Sequence, residues 1–585
     1  MILGLVLGGV ACFAVAYVLY GRFLERRLQV DGSRITPARE LEDGVDYVPS
    51  PTPVLFGHHF SSIAGAGPIV GPVIAALAFG WGPAILWIVL GAIFLGGVHD
   101  FTALVASIRH KARSVGQMCR DLLSPFSYRT FLVFIWLAMV YIQIVFLDLT
   151  ASTFAPVASD AAAANEGAAL ELREGGAVAT ASLLYILLAV LFGLTIYRLK
   201  LRLLTGTFVF VPLVFAALWL GHRFPLSADL LPAFLGSPKN TWLLVLLGYC
   251  LLASILPVWI LLQPRDYLSS FLLYACVGGG LIGLVATGIG GGATLSWPAF
   301  RGLSDPSLGF IFPALFITIA CGAISGFHSI VASGTTAKQL RSEKSARPVA
   351  YGAMLVEGML GLLALAAVMA LVEKPAGRTP VQIFGDGLGR FLSSLHLPHD
   401  LAVTFALLAV STFLLTTLDT CTRLGRFIFE ELFNVRGGVA RLLGTGATLA
   451  IPAVMVFQRL EGPGGQPLPA WLAIWPAFGA TNQLLAALSL IVVYAWLRKS
   501  GKRAWFVFLP MVFMTVTTLT ALVQLVVQNL LRDGSMLVGI LSLVLVVLAV
   551  VVVADSLRVL LRPRATGAVA AAREAMLADA EGREP

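Results

Sequence analysis

Long apolar segments alternate with short polar or charged loops along almost the whole chain. Most of these segments are about 20 residues long, the length that a helix needs to cross a bilayer. The pattern predicts an all-α polytopic membrane protein with about 15 transmembrane helices (14–18). The predicted spans are residues 2–20, 59–80, 83–107, 130–150, 178–197, 204–221, 241–262, 267–289, 309–336, 349–372, 401–418, 442–457, 470–496, 505–527 and 535–554.

The second predicted span is interrupted by glycine and proline near its middle. Residues 57–79 read GHHFSSIAGAGPIVGPVIAALAF. Proline removes a backbone donor and disfavours helix at the preceding residue, and glycine lets the backbone leave helical geometry. In lipid such a break is tolerated when it packs in protein or lines a cavity, where its free N–H and C=O groups can hold a solute. The alternative is a kinked helix that serves packing alone.

A second interruption is predicted in the seventh span, where residues 254–264 read SILPVWILLQP. This span lies five spans after the first interruption and crosses in the opposite direction. Two inverted repeats of five helices, each beginning with a broken helix, require this relation. The alternative is a chance placement of Pro257.

Composition agrees with the membrane assignment. The 585 residues are 58% hydrophobic and 12% charged, and the mean hydropathy is +0.89, whereas soluble domains carry about 25% charged residues. The net charge of +9 does not indicate nucleic acid, because about 31 of the 40 lysines and arginines lie in loops on one side of the predicted spans. This side is predicted to be cytoplasmic, with the N-terminus outside and the C-terminus inside.

Histidines and an aspartate cluster at the predicted inner ends of spans two and three. His58, His59, His99 and Asp100 resemble a metal site, but adjacent histidines at a helix start point in different directions, and no H-E-x-x-H pattern occurs. The six cysteines are far apart and form no C-x-x-C pair. We therefore predict no metal and no cofactor, and a cytoplasmic gate or a proton path instead.

Two further residues are candidates for the same gate. Asp419 and Arg423 lie at the predicted inner end of span eleven. Asp100 and Asp419 are expected to lie near the inner face and to pair with Arg109, Arg423 or other loop cations. Gating by such pairs and purely structural pairing are both open.

Span nine is polar for a lipid-facing helix. Its hydroxyls could offer hard oxygen ligands to a sodium ion, and the candidates are Ser329, Ser333, Thr335 and Thr336. The alternative is that small hydroxylated residues let helices pack closely.

Glu357 is the one carboxyl predicted at the middle of a span. A charge is costly there, so protonation should accompany burial, and Glu357 is the candidate for carrying a coupled proton. A permanently neutral acid that is hydrogen-bonded between helices is the alternative.

No lysine or arginine is predicted deep in any span, so a substrate carboxylate would be held by N–H groups at the N-termini of broken helices. The predicted substrate-binding residues are Ala64, Gly65, Ala66, Gly67, Gly71, Ser254 and Pro257. We find no nucleophile with an adjacent base, and therefore predict no enzymatic activity.

Several long stretches make the chain resemble the carbon starvation protein CstA family of bacterial inner-membrane transporters. They are GHHFSSIAGAGPIVGPVIAA at 57–76, VHDF at 98–101, LPVWILLQPRDYL at 256–268, FHSIVASGTTAKQL at 327–340, YGAMLVEG at 351–358, LTTLDTCTRLGRF at 415–427 and WPAFGATNQLLAA at 475–487. The family is similar in fold to the amino acid, polyamine and organocation transporters, which implies the same inverted repeat.

The resemblance implies a secondary active transporter that takes up peptides or pyruvate when preferred carbon sources run out. It also implies a division into an N-terminal transporter region (1–375), a C-terminal transmembrane region (376–500), accessory helices (501–564) and a cytosolic tail (565–585). Proton coupling through Glu357, sodium coupling on span nine and a nutrient sensor that uses the same cavity all remain open. The expected partners are a small-molecule substrate and the lipid bilayer, without nucleic acid, and no oligomeric state is predicted.

Overall fold

The computed structural model describes residues 1–44, 47–155, 166–226, 230, 232–257, 259–292, 294–375, 377–435, 437–458, 460–461, 467–531 and 536–561. These are the described residues below. The predicted cytosolic tail, residues 565–585, lies outside them.

The described residues form a bundle of α-helices. In chain order these are α1 (Ile2–Leu28), α2 (Pro37–Glu40), α3 (Thr52–Ile63), α4 (Gly67–Phe79), α5 (Trp81–Gly91), α6 (Gly97–Arg109), α7 (Val115–Leu122), α8 (Pro125–Phe154), α9 (Glu166–Tyr197), α10 (Leu203–Arg223), α11 (Pro238–Ile255), α12 (Leu262–Ile289), α13 (Ile311–Thr318), α14 (Gly326–Gly334), α15 (Ala353–Met369), α16 (Pro380–Ser393), α17 (His399–Phe433), α18 (Gly438–Val456), α19 (Ala470–Lys499), α20 (Trp505–Leu530) and α21 (Met536–Leu561).

Short segments complete the architecture. Two π-helical stretches, Ala92–Gly96 and Arg347–Gly352, extend α6 and α15 at their N-terminal ends. The 3-10 turns are Phe234–Gly236, Thr336–Lys338 and Glu343–Ser345. Two antiparallel hairpins pair β1 (Ser304–Asp305) with β2 (Gly309–Phe310), and β3 (Leu460–Glu461) with β4 (Pro467–Leu468).

Thirteen helices among the described residues are long and apolar enough to cross a membrane, and the bent pair α3–α4 makes a further span. The pair α13–α14, separated by residues 319–325, lies where the ninth span is predicted. All fifteen predicted spans therefore correspond to helical elements. The prediction of an all-α membrane protein is confirmed.

The first predicted break is present. Residues 64–66 are not helical, and α3 and α4 meet at an angle of 45°. Pro68 follows at the first turn of α4, where its missing N–H would have no helix partner in any case. The glycines and prolines therefore end one half-helix and start the next in the middle of the bundle.

A second broken helix faces the first. It consists of α13 and α14 and is not the predicted seventh span. Residues 319–325 separate the two half-helices. A Cβ on Gly67 would lie 2.4 Å from Sγ of Cys321, and a Cβ on Gly71 would lie 2.4 Å from the carbonyl oxygen of Thr318. The two breaks thus touch through positions where only glycine fits.

The prediction of a break within a helix at Pro257 is wrong. Helix α11 ends at Ile255, Leu256 is extended, and α12 starts at Leu262. Pro257 therefore lies in the connection between two separate helices. A proline stops a helix equally well at its end and at its middle, so the sequence pattern alone did not distinguish these cases.

The helix packing contains the predicted inverted repeat, with different members. One repeat comprises α3–α4, α5–α6, α8, α11 and α12, and the other comprises α13–α14, α15, α17, α18 and α19. Equivalent contacts recur: α8 packs on α17, α8 on α18 as α17 on α11, and α3 on α12 as α13 on α19. The helical hairpin α9–α10 is inserted into the first repeat, so the breaks lie seven spans apart.

Candidate functional site

The break at residues 64–66 faces α8 and α17. A Cβ on Gly65 would lie 3.0 Å from Oγ1 of Thr417 and 3.1 Å from Cε2 of Phe146. Phe146 in turn lies 5.8 Å, between ring centroids, from Phe478 on α19. The exposed backbone of the first break is therefore bordered by one hydroxyl and two aromatic rings.

The N-termini of the two inner half-helices differ in whether a side-chain oxygen already lies on them. At α14, the side-chain oxygen Oδ1 of Asn482 accepts from the Phe327 N–H at 3.0 Å, and the Ser325 carbonyl accepts from the His328 N–H at 3.3 Å. Helix α4 begins at Gly67 after an Ala66 cap without a side-chain hydrogen bond; its Pro68 has no N–H, and its Ile69 N–H donates to the Ala66 carbonyl at 3.0 Å. The start of α4 is thus the better place for an anionic group.

Gln143 is a buried polar residue beside this break. It precedes Phe146 by three residues on α8, which places both side chains on one face of the helix. Neither its Oε1 nor its Nε2 has a hydrogen-bond partner among the described residues. A buried amide in this state is costly unless something completes its hydrogen bonds.

A chain of buried titratable residues connects α6, α14 and α15. Nδ1 of His99 and Nδ1 of His328 lie 2.7 and 2.8 Å from the two oxygens of Asp100. Nε2 of His328 lies 3.2 Å from Oε2 of Glu357. All four side chains are fully buried.

The geometry of this chain leaves one position for a mobile proton. An ionised Asp100 carboxylate can only accept, so both Nδ1 atoms donate to it. Nε2 of His328 then faces Glu357, and neither oxygen of Glu357 has an aligned hydrogen-bond partner among the described residues. Both the coupled-proton prediction and the alternative of a neutral acid between helices place a proton between Nε2 of His328 and Glu357.

Glu357 is also close to the first break. A Cβ on Gly361, one turn further along α15, would lie 3.5 Å from the carbonyl oxygen of Pro68 in α4. Helix α15 therefore carries the carboxyl on the surface that packs against the start of α4.

The four span-nine hydroxyls are already engaged within the protein. Ser329 donates to the Gly326 carbonyl at 2.7 Å, Ser333 to the Ser329 carbonyl at 2.7 Å, and Thr335 to the Val331 carbonyl at 3.0 Å. Thr336 lies 2.8 Å from Nδ1 of His59. These contacts fit the alternative of close helix packing, but each hydroxyl oxygen that donates keeps lone pairs for a cation, so the sodium site stays a prediction.

A second buried charge cluster joins α3, α11, α12 and α17. Arg265 donates to Asp266 Oδ1 at 2.6 Å, to Asp419 Oδ2 and to the Tyr249 hydroxyl at 2.8 Å. His58 Nδ1 lies 3.3 Å from the other oxygen of Asp266. One guanidinium thus faces two carboxylates, and the imidazole of His58 lies beside the carboxylate of Asp266.

This cluster corrects the expectation that no guanidinium lies within the bundle. Arg265 has no exposed surface, and Arg423 and Arg426 are 8% and 4% exposed. Arg265 stands in a PRD triplet that reads as a loop, and the sequence gives no sign that its partner is Asp419, 154 positions away.

The predicted gate pairs are also different. Asp100 contacts histidines, whereas Arg109 lies 2.5 Å from Glu343. Asp419 contacts Arg265, whereas Arg423 donates to the carbonyls of Ala253 and Leu256 at 2.7 Å and so holds the end of α11.

Ser254 and Pro257 are not brought to the first break. The hydroxyl of Ser254 lies 3.0 Å from that of Thr445 on α18, and Arg426 donates to the Ser254 carbonyl at 2.6 Å. In contrast, the structure brings Ala64, Gly65, Ala66, Gly67 and Gly71 together at the two breaks.

Sequence reasoning missed several residues of this region, namely His328, Gln143, Thr417, Cys321, Arg265 and Asp266. His328 lies among the polar residues of span nine. A titratable imidazole inside a predicted span was the feature that could have identified it. In the described part of the chain, no group of three or more His, Cys, Asp or Glu residues is arranged to hold a metal ion.

The sequence profile of the family described as Carbon starvation protein CstA matches residues 1–378 and 372–521. The chain belongs to the CstA family. As the membership indicates, it is a multi-pass membrane transporter and not an enzyme.

Relatives from several bacteria agree with this family. The Peptide transporter CstA of Bacillus subtilis is 32% identical over 618 residues, covering 95% of this chain and 96% of the relative. The Peptide transporter CstA of Escherichia coli is 32% identical over 589 residues, covering 89% and 80%. The Pyruvate/proton symporter BtsT of Escherichia coli is 29% identical over 614 residues, covering 89% and 81%.

Among solved structures, the CstA-family chain is similar to the manganese transporter of Eremococcus coleocola in complex with an aromatic bis-isothiourea substituted compound. The TM-score is 0.45 at 13% sequence identity, and the match covers 89% of this chain and 99% of the transporter.

Proposed function

We propose that this protein is a secondary active transporter of the bacterial inner membrane that takes up pyruvate or short peptides together with protons during carbon starvation. Its N-terminus lies outside and its C-terminus in the cytoplasm. The observation that carries the proposal is the fully buried contact of His328 with Glu357, backed by Asp100.

The substrate carboxylate is held at the start of α4. Pyruvate and peptides share a carboxylate, and the helix N-terminus supplies about half a positive charge together with the N–H of Gly67. Gln143 and Thr417 provide polar contacts to the rest of the substrate, and Phe146 covers it.

The coupled proton resides between His328 Nε2 and Glu357. With the proton present, the pair carries no unbalanced negative charge and the bundle can rearrange around it. Without the proton, Glu357 and Asp100 bring two negative charges near one imidazole, which favours reloading. Because Glu357 lies on the helix that packs against α4, its charge acts on the half-helix that binds substrate.

Transport by the purified protein in proteoliposomes tests this function. Labelled pyruvate and labelled dipeptides are offered under an imposed proton gradient or an imposed sodium gradient. We expect an inward proton gradient to drive accumulation of one of them in the absence of sodium. Accumulation only with sodium would move coupling to α14, and binding without any accumulation would indicate a nutrient sensor.

A further inference from the structure

Arg423 is a buried arginine in the second half of α17, and the transport cycle described above gives it no role. Its Nη2 donates to the carbonyls of Ala253 and Leu256 at 2.7 Å. Its Nε has no hydrogen-bond partner in the described part of the chain. A buried cation is costly unless it is paired and fully hydrogen-bonded, so this guanidinium keeps donors and charge for an anion.

The carboxylates near Arg423 are engaged by other arginines. The two aspartates of the second charge cluster both accept from Arg265. Glu430 lies 3.6 Å from Nε of Arg426. Among the described residues, no carboxylate forms an ion pair with Arg423. Of the three buried guanidinium groups in this region, Arg423 is therefore the one that no carboxylate contacts directly.

Arg423 lies on the side of α17 that has accessible surface. Thr417, Thr420 and Arg423 are 3%, 7% and 8% exposed, and Phe427 beyond them is 43% exposed. Residues three or four positions apart share one face of a helix. The residues between them have no exposed surface, namely Leu418, Asp419, Cys421 and Thr422. One face of α17 is thus accessible from Thr417 toward the predicted inner end of the helix.

This face begins at the first break. The hydroxyl of Thr417 borders Gly65, since a Cβ on Gly65 would lie 3.0 Å from its Oγ1. Six residues of helix separate Thr417 from Arg423, a rise of about 9 Å. A single carboxylate therefore cannot contact the start of α4 and Arg423 at the same time. A substrate that leaves the break toward the cytoplasm along α17 would meet Arg423 next.

We propose that Arg423 forms a second binding site for the substrate carboxylate, between the first break and the cytoplasm. The inference rests on the proposed function, from which it takes a substrate that carries a carboxylate. The carboxylate accepts from the donors of Arg423 that are not used at the end of α11. Hydrogen bonds between a guanidinium and a carboxylate are charge-assisted, so one arginine suffices to hold the substrate briefly at this position.

Arg426 offers a matched control on the same helix. Its Nη1 donates to the Ser254 carbonyl at 2.6 Å, so it also holds the end of α11. It is buried like Arg423, but Glu430 lies beside its Nε. Arg426→Gln therefore removes a buried guanidinium and a bond to α11 outside the proposed site.

Exchange of labelled substrate, measured from each side of the membrane, tests the proposal. Inside-out vesicles present the cytoplasmic side of the full-length protein, and right-side-out vesicles present the outer side. The probes are labelled pyruvate and labelled dialanine. The test variants are Arg423→Gln and Arg423→Lys, and thermal unfolding in detergent is measured for every variant.

We expect Arg423→Gln to raise the KM at the cytoplasmic side about tenfold, because a hydrogen bond to a charged group is lost there. The KM at the outer side should not change. Arg423→Lys, which keeps the charge but not the fork of donors, should raise the cytoplasmic KM less, and it carries the test if Arg423→Gln does not fold. Arg426→Gln should lower the unfolding midpoint, as Arg423→Gln does, with both KM values unchanged.

Three outcomes would overturn the proposal. An equal rise of the KM on both sides in Arg423→Gln would mean that Arg423 acts on the central site. An equal rise in Arg426→Gln would mean that the hold on α11 matters and not a substrate contact. An unchanged cytoplasmic KM in both Arg423 variants would refute the second site alone. If the unmodified protein exchanges neither probe, the proposed function fails and this inference fails with it.

Discussion

The Oε2 atom of Glu357 on α15 lies 3.2 Å from Nε2 of His328 on α14, and Nδ1 of the same imidazole lies 2.8 Å from Oδ2 of Asp100. A single proton can therefore be shared between two helices that belong to the second repeat. Because the two residues stand on different helices, a change in the relative position of α14 and α15 would change this contact.

Replacing Glu357 by Gln keeps the shape of the side chain and removes the titrating group. We expect Glu357→Gln to lose accumulation driven by a proton gradient by at least about tenfold while it still exchanges bound substrate. Uptake and exchange in proteoliposomes measure the two activities separately.

The control for this variant is Glu373→Gln, which changes an exposed carboxyl between α15 and α16. Normal accumulation by Glu357→Gln would contradict the proton assignment. If Ser329→Ala or Thr336→Ala then made uptake require far more sodium, α14 would hold the coupling ion.

Gln143 should contribute to substrate binding because its buried amide has no partner in the described protein. Gln143→Leu is nearly isosteric and should raise the KM about tenfold or more, since a hydrogen bond to a charged group contributes about 1.5–3 kcal/mol. Thr153→Val is the matched control, because the hydroxyl of Thr153 bonds within α8. An unchanged KM in Gln143→Leu would place the substrate elsewhere.

The contact between the two breaks predicts a compensating pair of substitutions. Gly67→Ala should reduce uptake and thermal stability, because the new Cβ meets Cys321 and overpacking costs about 1–3 kcal/mol. Cys321→Gly in the same chain removes both clashing atoms and should restore much of the loss. Gly278→Ala, where a Cβ would meet nothing within 4 Å, is the control.

The Arg265 cluster predicts a non-additive effect on stability. Arg265→Gln leaves Asp266 and Asp419 buried without their cation and should lower the free energy of unfolding by about 3–5 kcal/mol. Adding Asp419→Asn removes one of these two unbalanced charges and should recover part of that loss. Thermal unfolding in detergent measures both, and additive losses would mean that the charges act independently.

The sequence predicted the fifteen spans and the first break well, because both depend on the local composition of the chain. The second break was assigned to Pro257 because residues 319–325 read IACGAIS and contain no proline. That break is formed by packing: Trp87 donates to the carbonyl of Ile319 at 3.3 Å, and Asn482 donates to Ser325 at 3.0 Å. Such partners are not visible in a local pattern.

The candidate site was predicted in part for the same reason. Glu357 stood out because a carboxyl inside a span is unusual on its own. Its partner His328 and their common neighbour Asp100 lie on different spans, and only the fold brings them together. Arg265 was missed because a buried arginine needs a carboxylate partner to offset its desolvation. That partner is Asp419, which lies in the other repeat and is far away in the sequence.

The adjacent residues His58 and His59 connect α3 to two different neighbours. One imidazole contacts Asp266 on α12, and the other contacts Thr336 beyond the end of α14. Because both rings stand on one short half-helix, a movement of α3 relative to either neighbour changes both contacts. The half-helix is therefore tied at once to α12 of the first repeat and to the segment that follows α14 in the second.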